Sequence, residues 1–338
     1  MHRFIASCVC CTMLLAVPVA VFVLPKRDIL EGERRKAAAF PDLPRKIFWV
    51  SEIKRFFSGF DGFFADHFPW RDVLLSLSVG WYELTGDNLD ISKCYRGKEN
   101  WLFLGNRWSR CVDKLQGRVM FSEKTLQRQV EYYMKMHNAA RNNGARFVIF
   151  IGPNKSSVYP EYLPPFVTPA AKRFITPLYE ALRKAGITVY DPTERLLNKK
   201  SDGLLYYRTD THWNGRGAYE AFKGFKEYIG LPLLPSCTFV AGSEYRGDLV
   251  NIGGFKRFPL SKGDNDAPRW DPPLSHAISE KTAWIFGDSF AQALKIYMQA
   301  TFERTTFFSH NKFEQMMSSH NQKPDLIIWV VVERSFAE

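Results

Sequence analysis

One stretch near the carboxyl end of the sequence constrains the fold more than any other. Residues 283–286 are an apolar run (AWIF), Gly287-Asp288-Ser289 follows, and a helical pattern begins at Phe290. This order predicts a buried strand, a tight turn and a helix. Such a turn exposes the Ser289 hydroxyl at the carboxyl end of a strand and points the first N–H groups of the helix towards it. Enzymes with a serine nucleophile need both features, although a serine before a helix is also an ordinary N-cap.

A carboxylate and an imidazole stand two residues apart in residues 206–214 (YYRTDTHWN). Serine is a weak nucleophile until a base takes its proton, and histidine commonly serves as that base. Residues i and i+2 of an extended segment point to the same side, so Asp210 can orient His212 towards Ser289. The alternative is structural: Asp210 caps the helix that begins near Asn214, and His212 packs in the core. Because both stretches occur in one chain, we interpret Asp210, His212 and Ser289 as a catalytic triad.

These two motifs resemble those of the alginate O-acetyltransferase family, whose domain is SGNH hydrolase-like. Three further stretches match the same family, namely residues 64–72 (FADHFPWRD), 97–103 (GKENWLF) and 159–164 (YPEYLP). The motif order also fits, because ordinary SGNH esterases place the serine before the Asp/His pair, whereas here the pair comes first. The resemblance covers the chain from about residue 55 to the C-terminus. It implies a periplasmic enzyme that acetylates an exported polysaccharide.

Strands and helices alternate along most of the chain. The apolar patterns predict strands at residues 146–151, 187–191, 283–286, 305–309 and 325–332, and helices at 122–142, 169–185, 214–230 and 312–320. This alternation predicts an α/β fold with a mostly parallel, helix-covered sheet, and the resemblance implies the SGNH hydrolase-like three-layer sandwich. Residues 97–104 are predicted to form a short hairpin that presents Trp101. Residues 231–282, rich in Pro and Gly, are predicted to be a loop-rich insertion at the active site.

The first 46 residues divide into an apolar run and a charged linker. Residues 4–24 carry no charge and are long enough to cross a bilayer as a helix. We therefore predict a signal anchor or transmembrane helix at 1–25, a linker at 26–46 and the SGNH-like domain at 47–338. The residues after Leu24 suit signal-peptidase cleavage poorly, which favours an uncleaved anchor. The positive charges beyond it would keep the body in the cytoplasm, whereas the resemblance implies a periplasmic body at the inner membrane; we follow the resemblance.

Four further residues are candidates for binding the oxyanion or the substrate. Backbone N–H groups near Gly253 can add a second oxyanion donor. Lys155 lies on the loop after the predicted strand 146–151, where α/β proteins bind ligands, although a solvated loop is the alternative. Arg334 follows the last strand and can bind a substrate anion or the acetyl oxygen, with a surface ion pair as the alternative. Tyr297 lies on the helix that follows the Gly-Asp-Ser turn.

Charge and cysteine content limit the partners. The net charge of +11 suits an acidic polymer or an anionic membrane face, and a merely basic soluble surface is the alternative. Nucleic acid is not expected, because the positive residues are scattered and no nucleic-acid motif accompanies them. Cys94, Cys111 and Cys237 show no zinc-site spacing, so we expect no metal and no cofactor. If the body is exported, one disulfide among these three is expected, and the sequence does not choose the pair.

Three functions remain open from the sequence. The first is an O-acetyltransferase that moves an acetyl group through an ester on Ser289 to a sugar hydroxyl of an exported, alginate-like polysaccharide. For this function the resemblance implies an acetyl-donor partner, a membrane-bound O-acyltransferase. The second is an SGNH carbohydrate acetylesterase that uses the same triad with water as acceptor. The third is a non-catalytic polysaccharide-binding assembly subunit, against which the presence of all three triad residues argues.

Overall fold

The structure is a computed structural model that divides the chain into two compact units. The smaller unit comprises residues 1–89 and 251–259, and the larger comprises residues 90–250 and 260–338. The residues that the structure describes are 19–23, 25–26, 28–30, 35–44, 49–71, 73–74, 77, 81, 92–232, 237–241, 247–255, 266–269, 277–319 and 323–336.

The smaller unit is built on one aromatic helix. Strands β1 (Ile29–Leu30) and β2 (Arg35–Lys36) form an antiparallel pair, and helix α1 spans Val50–His67. The ring of Phe40 packs edge-on against three phenylalanines of this helix. The predicted membrane span at residues 4–24 lies largely outside the described residues. Its described part, residues 19–23, is helical. None of the helices that the structure describes is long and apolar enough to cross a membrane.

The described strands of the larger unit are β3 (Cys94–Arg96), β4 (Leu102–Leu104), β5 (Arg146–Gly152), β6 (Thr188–Tyr190), β7 (Thr238–Ala241), β8 (Asp266–Arg269), β9 (Ser279–Gly287), β10 (Phe302–Phe308) and β11 (Leu326–Val332). Five of them form a parallel sheet with the order β10-β9-β11-β5-β6. Two antiparallel pairs, β3 with β4 and β7 with β8, lie outside this sheet.

Helices connect these strands. They are α2 (Cys111–Leu115), α3 (Glu123–Asn142), α4 (Lys155–Val158), α5 (Thr176–Lys184), α6 (Thr193–Lys199), α7 (Gly215–Ile229), α8 (Asp248–Ile252), α9 (Phe290–Thr301) and α10 (Phe313–Ser319). Ser122 caps α3, since its hydroxyl accepts from the Thr125 N–H. Gly144 adopts a positive φ of 77° just after that helix ends.

The alternation of buried side chains along the strands shows the three layers. On β5, Phe147 and Ile149 belong to the cluster that also contains residues of α3, α5 and α10. Val148 and Phe150, between and beside them, belong to the cluster that contains residues of α7 and α9. Each fully buried side chain of this kind contributes about 1.5–3 kcal/mol to folding. Both sheet faces are therefore covered by helices, which confirms the predicted α/β sandwich with a parallel sheet.

Several local predictions need correction. The helix predicted at 169–185 begins at Thr176, since residues 171–175 form bends and turns instead. The hairpin near residue 100 exists, but Trp101 is not presented to solvent. It is fully buried, with its ring 4.5 Å from the rings of both Tyr159 and Tyr162. Burial of the Trp101 ring against these two tyrosine rings stabilises the fold more than exposure of Trp101 to solvent would.

The insertion and the cysteines also differ from expectation. The described part of residues 231–282 contains β7, β8, α8 and the start of β9, so it has more regular structure than its composition suggests. The expected disulfide is absent among the described cysteines, because Cys94, Cys111 and Cys237 all keep their thiols. Cys94 is buried in β3, while the thiols of Cys111 and Cys237 donate to nearby backbone carbonyls.

A buried lysine in the helical layer gives a first prediction. Lys226 on α7 is fully buried, and its ammonium donates to the Thr301 hydroxyl at 3.3 Å. Burial lowers the pKa of Lys226 to about 8. Below that pH the folded protein carries the whole cost of a buried charge, and stability rises as the pH increases from about 8 to the unfolded value near 10.4.

We therefore expect Lys226→Met to raise the free energy of unfolding by about 2 kcal/mol at pH 7. Urea denaturation of both proteins at pH 7 and pH 10 measures the effect. The difference between them should shrink at pH 10, where Lys226 is largely neutral in the folded state and the cost of its buried charge is lost. An equal difference at the two pH values would contradict the assignment of the effect to the buried charge.

Candidate active site

The Gly-Asp-Ser turn connects β9 to α9, and the serine hydroxyl makes no capping hydrogen bond to the helix. A side chain on Gly287 would overlap that of Ala291, so glycine lets the helix start close to the strand. The Asp288 carboxylate accepts from the Phe290 N–H at 2.9 Å and from the Val332 N–H at 2.8 Å. Asp288 thus caps α9 and ties the turn to the end of β11. Ser289 occupies the N-cap position of α9, as the alternative interpretation predicted, but its side chain makes no capping hydrogen bond and is exposed.

The segment with the Asp/His pair precedes α7. Tyr206 and Trp213 form an isolated antiparallel bridge, which brings the two ends of the segment together. Asn214 is the N-cap of α7, since its side-chain oxygen accepts from the Gly217 N–H at 2.9 Å. Asp210 is therefore not the capping residue, and its carboxylate is available to His212.

The three predicted catalytic residues form one hydrogen-bonded line. Asp210 Oδ1 lies 2.6 Å from His212 Nδ1, and His212 Nε2 lies 2.7 Å from Ser289 Oγ. A carboxylate can only accept, so Nδ1 carries the hydrogen and Nε2 is free to accept from the serine hydroxyl. The structure brings together residues that are 77 positions apart in the sequence. This arrangement is the one that general-base activation of a serine requires.

The Asp210 carboxylate is buried, and hydrogen bonds from protein groups stabilise its charge. It is 2% exposed. Burial opposes its ionisation, but the hydrogen bond and charge of His212, the Asp248 N–H and the His212 N–H outweigh burial and hold its pKa well below the usual range. The Asp248 N–H donates to Asp210 Oδ2 and the His212 N–H to Asp210 Oδ1, both at 3.0 Å. Asp210 is therefore a fixed negative charge beside the imidazole.

Asp248 is a component of the site that the sequence did not predict. Its carboxylate accepts from the Thr211 N–H at 2.9 Å and from the Thr211 hydroxyl at 2.8 Å. One of its oxygens lies 4.0 Å from His212 Nδ1. The preceding Gly247 approaches Asp210 so closely that a Cβ on it would overlap the Asp210 side chain. The Arg-Gly-Asp-Leu stretch around Gly247 was visible in the sequence, but nothing in it indicated which loop it would contact.

Lys155 lies behind the site rather than in it. Its side chain is 5% exposed, and its ammonium donates to the carbonyl oxygens of Tyr207, Arg208 and Asp210 at 3.1, 2.9 and 2.7 Å. The prediction that Lys155 binds substrate is therefore wrong, because its donors are directed into the loop that carries the Asp/His pair. The alternative of a solvated loop is wrong as well.

Arg334 lies near the ring of Phe290, the residue after Ser289, and borders a cavity. Its guanidinium stands 5.5 Å from the centre of the Phe290 ring, and the His212 ring stands 5.1 Å from the same ring. It also lines a cavity of about 180 Å³ together with Asn154 and Ser156. Glu333 does not pair with it, because that buried carboxylate accepts from Arg173 Nε at 3.1 Å. The surface ion pair considered for Arg334 is therefore not formed with its neighbour in the chain.

Comparisons with known proteins agree with the resemblance in the sequence. Residues 94–260 match the family model described as SGNH hydrolase-like domain, acetyltransferase AlgX. The resemblance to the alginate O-acetyltransferase family is confirmed. The chain is 26% identical over 165 residues to the probable alginate O-acetylase AlgJ of Pseudomonas putida, and 27% identical over 164 residues to that of Pseudomonas syringae pv. tomato. These alignments cover 46% of this chain and 40% of each relative.

Solved structures extend the likeness in fold beyond these AlgX-like residues. The O-acetyltransferase domain of Pseudomonas putida AlgJ superposes with a TM-score of 0.52 and 19% identity, over 72% of this chain and 92% of that one. Bacillus cereus PatB1 superposes with a TM-score of 0.50 and 12% identity, over 73% and 96%. The family match ends at residue 260, so the assignment of Ser289 rests on the motif and on the triad geometry of this chain.

The remaining candidate residues have different outcomes. Tyr297 does not reach the site, because it is fully buried and its hydroxyl donates to the Gly215 carbonyl at 2.7 Å. The prediction that Tyr297 binds the oxyanion or the substrate is therefore wrong. Gly253 falls in the smaller unit, and its role as an oxyanion donor stays a prediction. The Ser289 N–H, at the start of α9, is the oxyanion donor that the described turn itself offers.

The acidic groups of the site are close enough together to suit a cation. Ligand atoms of Asp210, His212 and Asp248 lie within 4.8 Å of one another. Hydrogen bonds already engage them, however, since Asp210 takes the His212 Nδ1–H and Asp248 takes both donors of Thr211. A metal ion would have to displace these protons. We therefore interpret the cluster as a hydrogen-bonded support for His212.

Proposed function

We propose that this chain is an O-acetyltransferase that carries an acetyl group on Ser289 and delivers it to a sugar hydroxyl of a polysaccharide. The observation that carries the proposal is the continuous line from Asp210 through His212 to the exposed Ser289 hydroxyl. The similarity to relatives named as probable alginate O-acetylases supports the reaction class.

In the first half of the reaction, Ser289 Oγ attacks the carbonyl carbon of an acetyl donor. His212 Nε2 takes the hydroxyl proton, and the charge of Asp210 stabilises the imidazolium that forms. The oxyanion lies at the N-terminus of α9, where the Ser289 N–H donates to it. When the tetrahedral intermediate collapses, the bond to the donor's leaving group breaks and His212 returns its proton to that group. Ser289 is left as an acetyl ester.

The second half reverses these roles with a different oxygen. A sugar hydroxyl attacks the acetyl-Ser289 carbonyl while His212 Nε2 takes its proton. The new tetrahedral intermediate collapses with cleavage of the bond to Ser289 Oγ, which regains the proton from His212. The acetyl group leaves on the sugar and the enzyme returns to its starting state, so no cofactor is consumed.

The resemblance supplies the cellular part of the proposal. We propose that an N-terminal anchor at residues 4–24 holds the body on the periplasmic side of the inner membrane, where an exported polysaccharide would pass. A membrane-bound O-acyltransferase partner would present the acetyl group to Ser289. The net charge of +11 favours an acidic polymer as the acceptor.

The decisive experiment uses the full-length protein with a chromogenic acetyl ester, with and without candidate oligosaccharides. Wild type and Ser289→Ala are assayed side by side, and the masses of the protein and of the glycan are measured by mass spectrometry. We expect an acetyl mass on Ser289 and a glycan with one acetyl group added, both lost in the variant. A chain in which Ser289 neither acquires acetyl nor affects glycan acetylation would refute the proposal.

A carbohydrate acetylesterase is the second candidate, because Ser289 is exposed and water can reach it. The same experiment separates the two functions. Serine-dependent acetate release without an acetylated glycan would favour the esterase. A larger share of product on the glycan as oligosaccharide concentration increases would favour transfer.

Arg334 gives a prediction about the acceptor. Its guanidinium lines a cavity and stands 5.5 Å from the ring of Phe290, the residue after Ser289. A charged hydrogen bond from this guanidinium to an oxygen of the sugar is worth about 1.5–3 kcal/mol. We therefore expect Arg334→Gln to raise KM for the oligosaccharide by roughly 10- to 100-fold. Arg183→Gln, on α5, is the matched control. An unchanged KM in Arg334→Gln would exclude Arg334 from acceptor binding.

A further inference from the structure

The loop that carries the Asp/His pair has little regular structure of its own. Residues 206–212 take part in one isolated bridge, and the Tyr207 N–H donates to the His212 carbonyl at 3.4 Å. Such contacts are too few to hold an imidazole in a geometry where displacement by 1 Å can cost about 100-fold in rate. The groups that fix this loop must therefore come from other parts of the fold.

The backbone carbonyl groups of the loop are all hydrogen-bonded from residues 207 to 210. Each of the four carbonyl oxygens of residues 207–210 accepts a hydrogen bond from outside the loop. The ammonium of Lys155 donates to three of them at 2.7–3.1 Å. The backbone N–H groups of Leu102 and Leu249 donate to the carbonyls of Arg208 and Thr209 at 2.9 and 3.1 Å.

Lys155 is suited to this role by charge and shape. An ammonium has three donors that point in different directions, and here each finds a backbone carbonyl. The rings of Phe103 and Trp101 lie 5.3 and 5.7 Å from the ammonium and add favourable contact with the charge. Because a buried charge without its partners is strongly destabilising, any loop movement that breaks these bonds is opposed.

The N–H side of the loop is held by a group of opposite charge. The Asp248 carboxylate accepts both the N–H and the hydroxyl of Thr211, the residue between Asp210 and His212. The Asp248 N–H in turn donates to Asp210 Oδ2 at 3.0 Å. Gly247 permits this approach, and its own N–H donates to the Thr209 hydroxyl at 3.1 Å.

We propose that Lys155 and Asp248 are positioning residues that hold the 206–212 loop from its carbonyl side and its N–H side. Together they keep Asp210 and His212 aligned with Ser289. The inference rests on the proposed serine chemistry, and it assigns a task to two charged residues that the reaction steps do not use.

The first test measures the reactivity of Ser289 without any glycan. Phenylmethanesulfonyl fluoride reacts with an activated serine: Oγ bonds to sulfur, the S–F bond breaks, fluoride leaves and His212 takes the proton. Mass spectrometry follows the labelling of full-length wild type, Lys155→Met and Asp248→Ala. We expect both variants to react about 100-fold more slowly than wild type. Lys226→Met, which removes a buried lysine from a different helix, is the matched control and should react at the wild-type rate.

A spectroscopic readout distinguishes alignment from general stability. The hydrogen between His212 Nδ1 and Asp210 should give a proton resonance far downfield, identified by its loss in His212→Ala. We expect this resonance to broaden or vanish in Lys155→Met and Asp248→Ala under conditions where thermal unfolding shows both variants to be folded. A role in stability alone would leave the resonance and the labelling rate of the folded molecules unchanged.

The outcomes separate this inference from the proposed function. Folded Lys155→Met and Asp248→Ala proteins with wild-type labelling and an intact resonance would overturn the inference. If Lys155→Met does not fold, Asp248→Ala and the milder Asp248→Asn decide by the same two measurements. If wild type itself labels no faster than His212→Ala, the proposed serine chemistry fails, while the resonance still reports whether Lys155 and Asp248 align the pair.

Discussion

Changing His212 to alanine is expected to slow acylation of Ser289 by about 10⁴–10⁶-fold, the range seen when a serine enzyme loses its base. His212 Nε2 is 2.7 Å from Ser289 Oγ, so its removal leaves the hydroxyl without the group that accepts its proton. Stopped-flow measurement of the first turnover of a chromogenic acetyl ester gives the rate, and mass spectrometry of acetyl-Ser289 identifies the product. Thermal unfolding shows whether the variant is folded at the temperature of the assay.

His137→Ala is the matched control for this prediction. His137 lies on α3, and its ring stands 6.4 Å from that of Phe147, in the cluster on the sheet face away from α7 and α9. Its loss should leave the acylation rate within a factor of two or so. If His212→Ala retained a tenth or more of the wild-type rate, another group would have to serve as the base and the triad assignment would be wrong.

Changing Asp210 to asparagine is expected to lower the acylation rate by about 10⁴-fold while the protein stays folded. The amide keeps the size of the side chain but can donate to Nδ1, which favours the tautomer with the hydrogen on Nε2. That nitrogen can then no longer take the Ser289 proton. The same first-turnover assay measures the loss. Asp325→Asn is the control, because Asp325 also accepts from a backbone N–H and a hydroxyl, both of Thr282, at the amino end of β11.

Asp210→Asn should also change how stability depends on pH in acid. The pKa of Asp210 is held well below its usual range in the folded protein, so the unfolded state binds more protons as the pH falls. The stabilisation is complete above the unfolded value near 3.9 and is lost as the pH decreases below about 4. The difference in unfolding free energy between wild type and Asp210→Asn should therefore narrow below about pH 4. A difference that stays constant down to pH 3 would contradict the depressed pKa.

Both triad motifs could be predicted because each is local. The apolar run before Gly287 and the helical pattern after Ser289 indicate a strand–turn–helix from neighbouring residues alone. Likewise, the two-residue spacing of Asp210 and His212 follows from the geometry of an extended chain. Helix α3 was predicted within a residue at each end, because Ser122 and Gly144 mark its ends in the sequence.

Contacts between distant segments could not be predicted in the same way. Lys155 and Asp248 are 55 and 38 residues from Asp210, and nothing in the composition of either neighbourhood shows that they hold the same loop. Trp101 was expected at the surface because a hairpin tip is normally exposed. Its burial depends on Tyr159 and Tyr162, which only the folded chain brings to it.

The sequence by itself determined the α/β class, the parallel sheet and the identity of the three triad candidates, because these depend on periodicity and on short motifs. The tertiary structure decided what each charged side chain does. Whether Lys155 or Arg334 faces substrate depends on which carbonyl, carboxylate or cavity the fold places next to it. Backbone hydrogen-bond acceptors are identical for every residue type, so the sequence carries no sign of which lysine will find three of them.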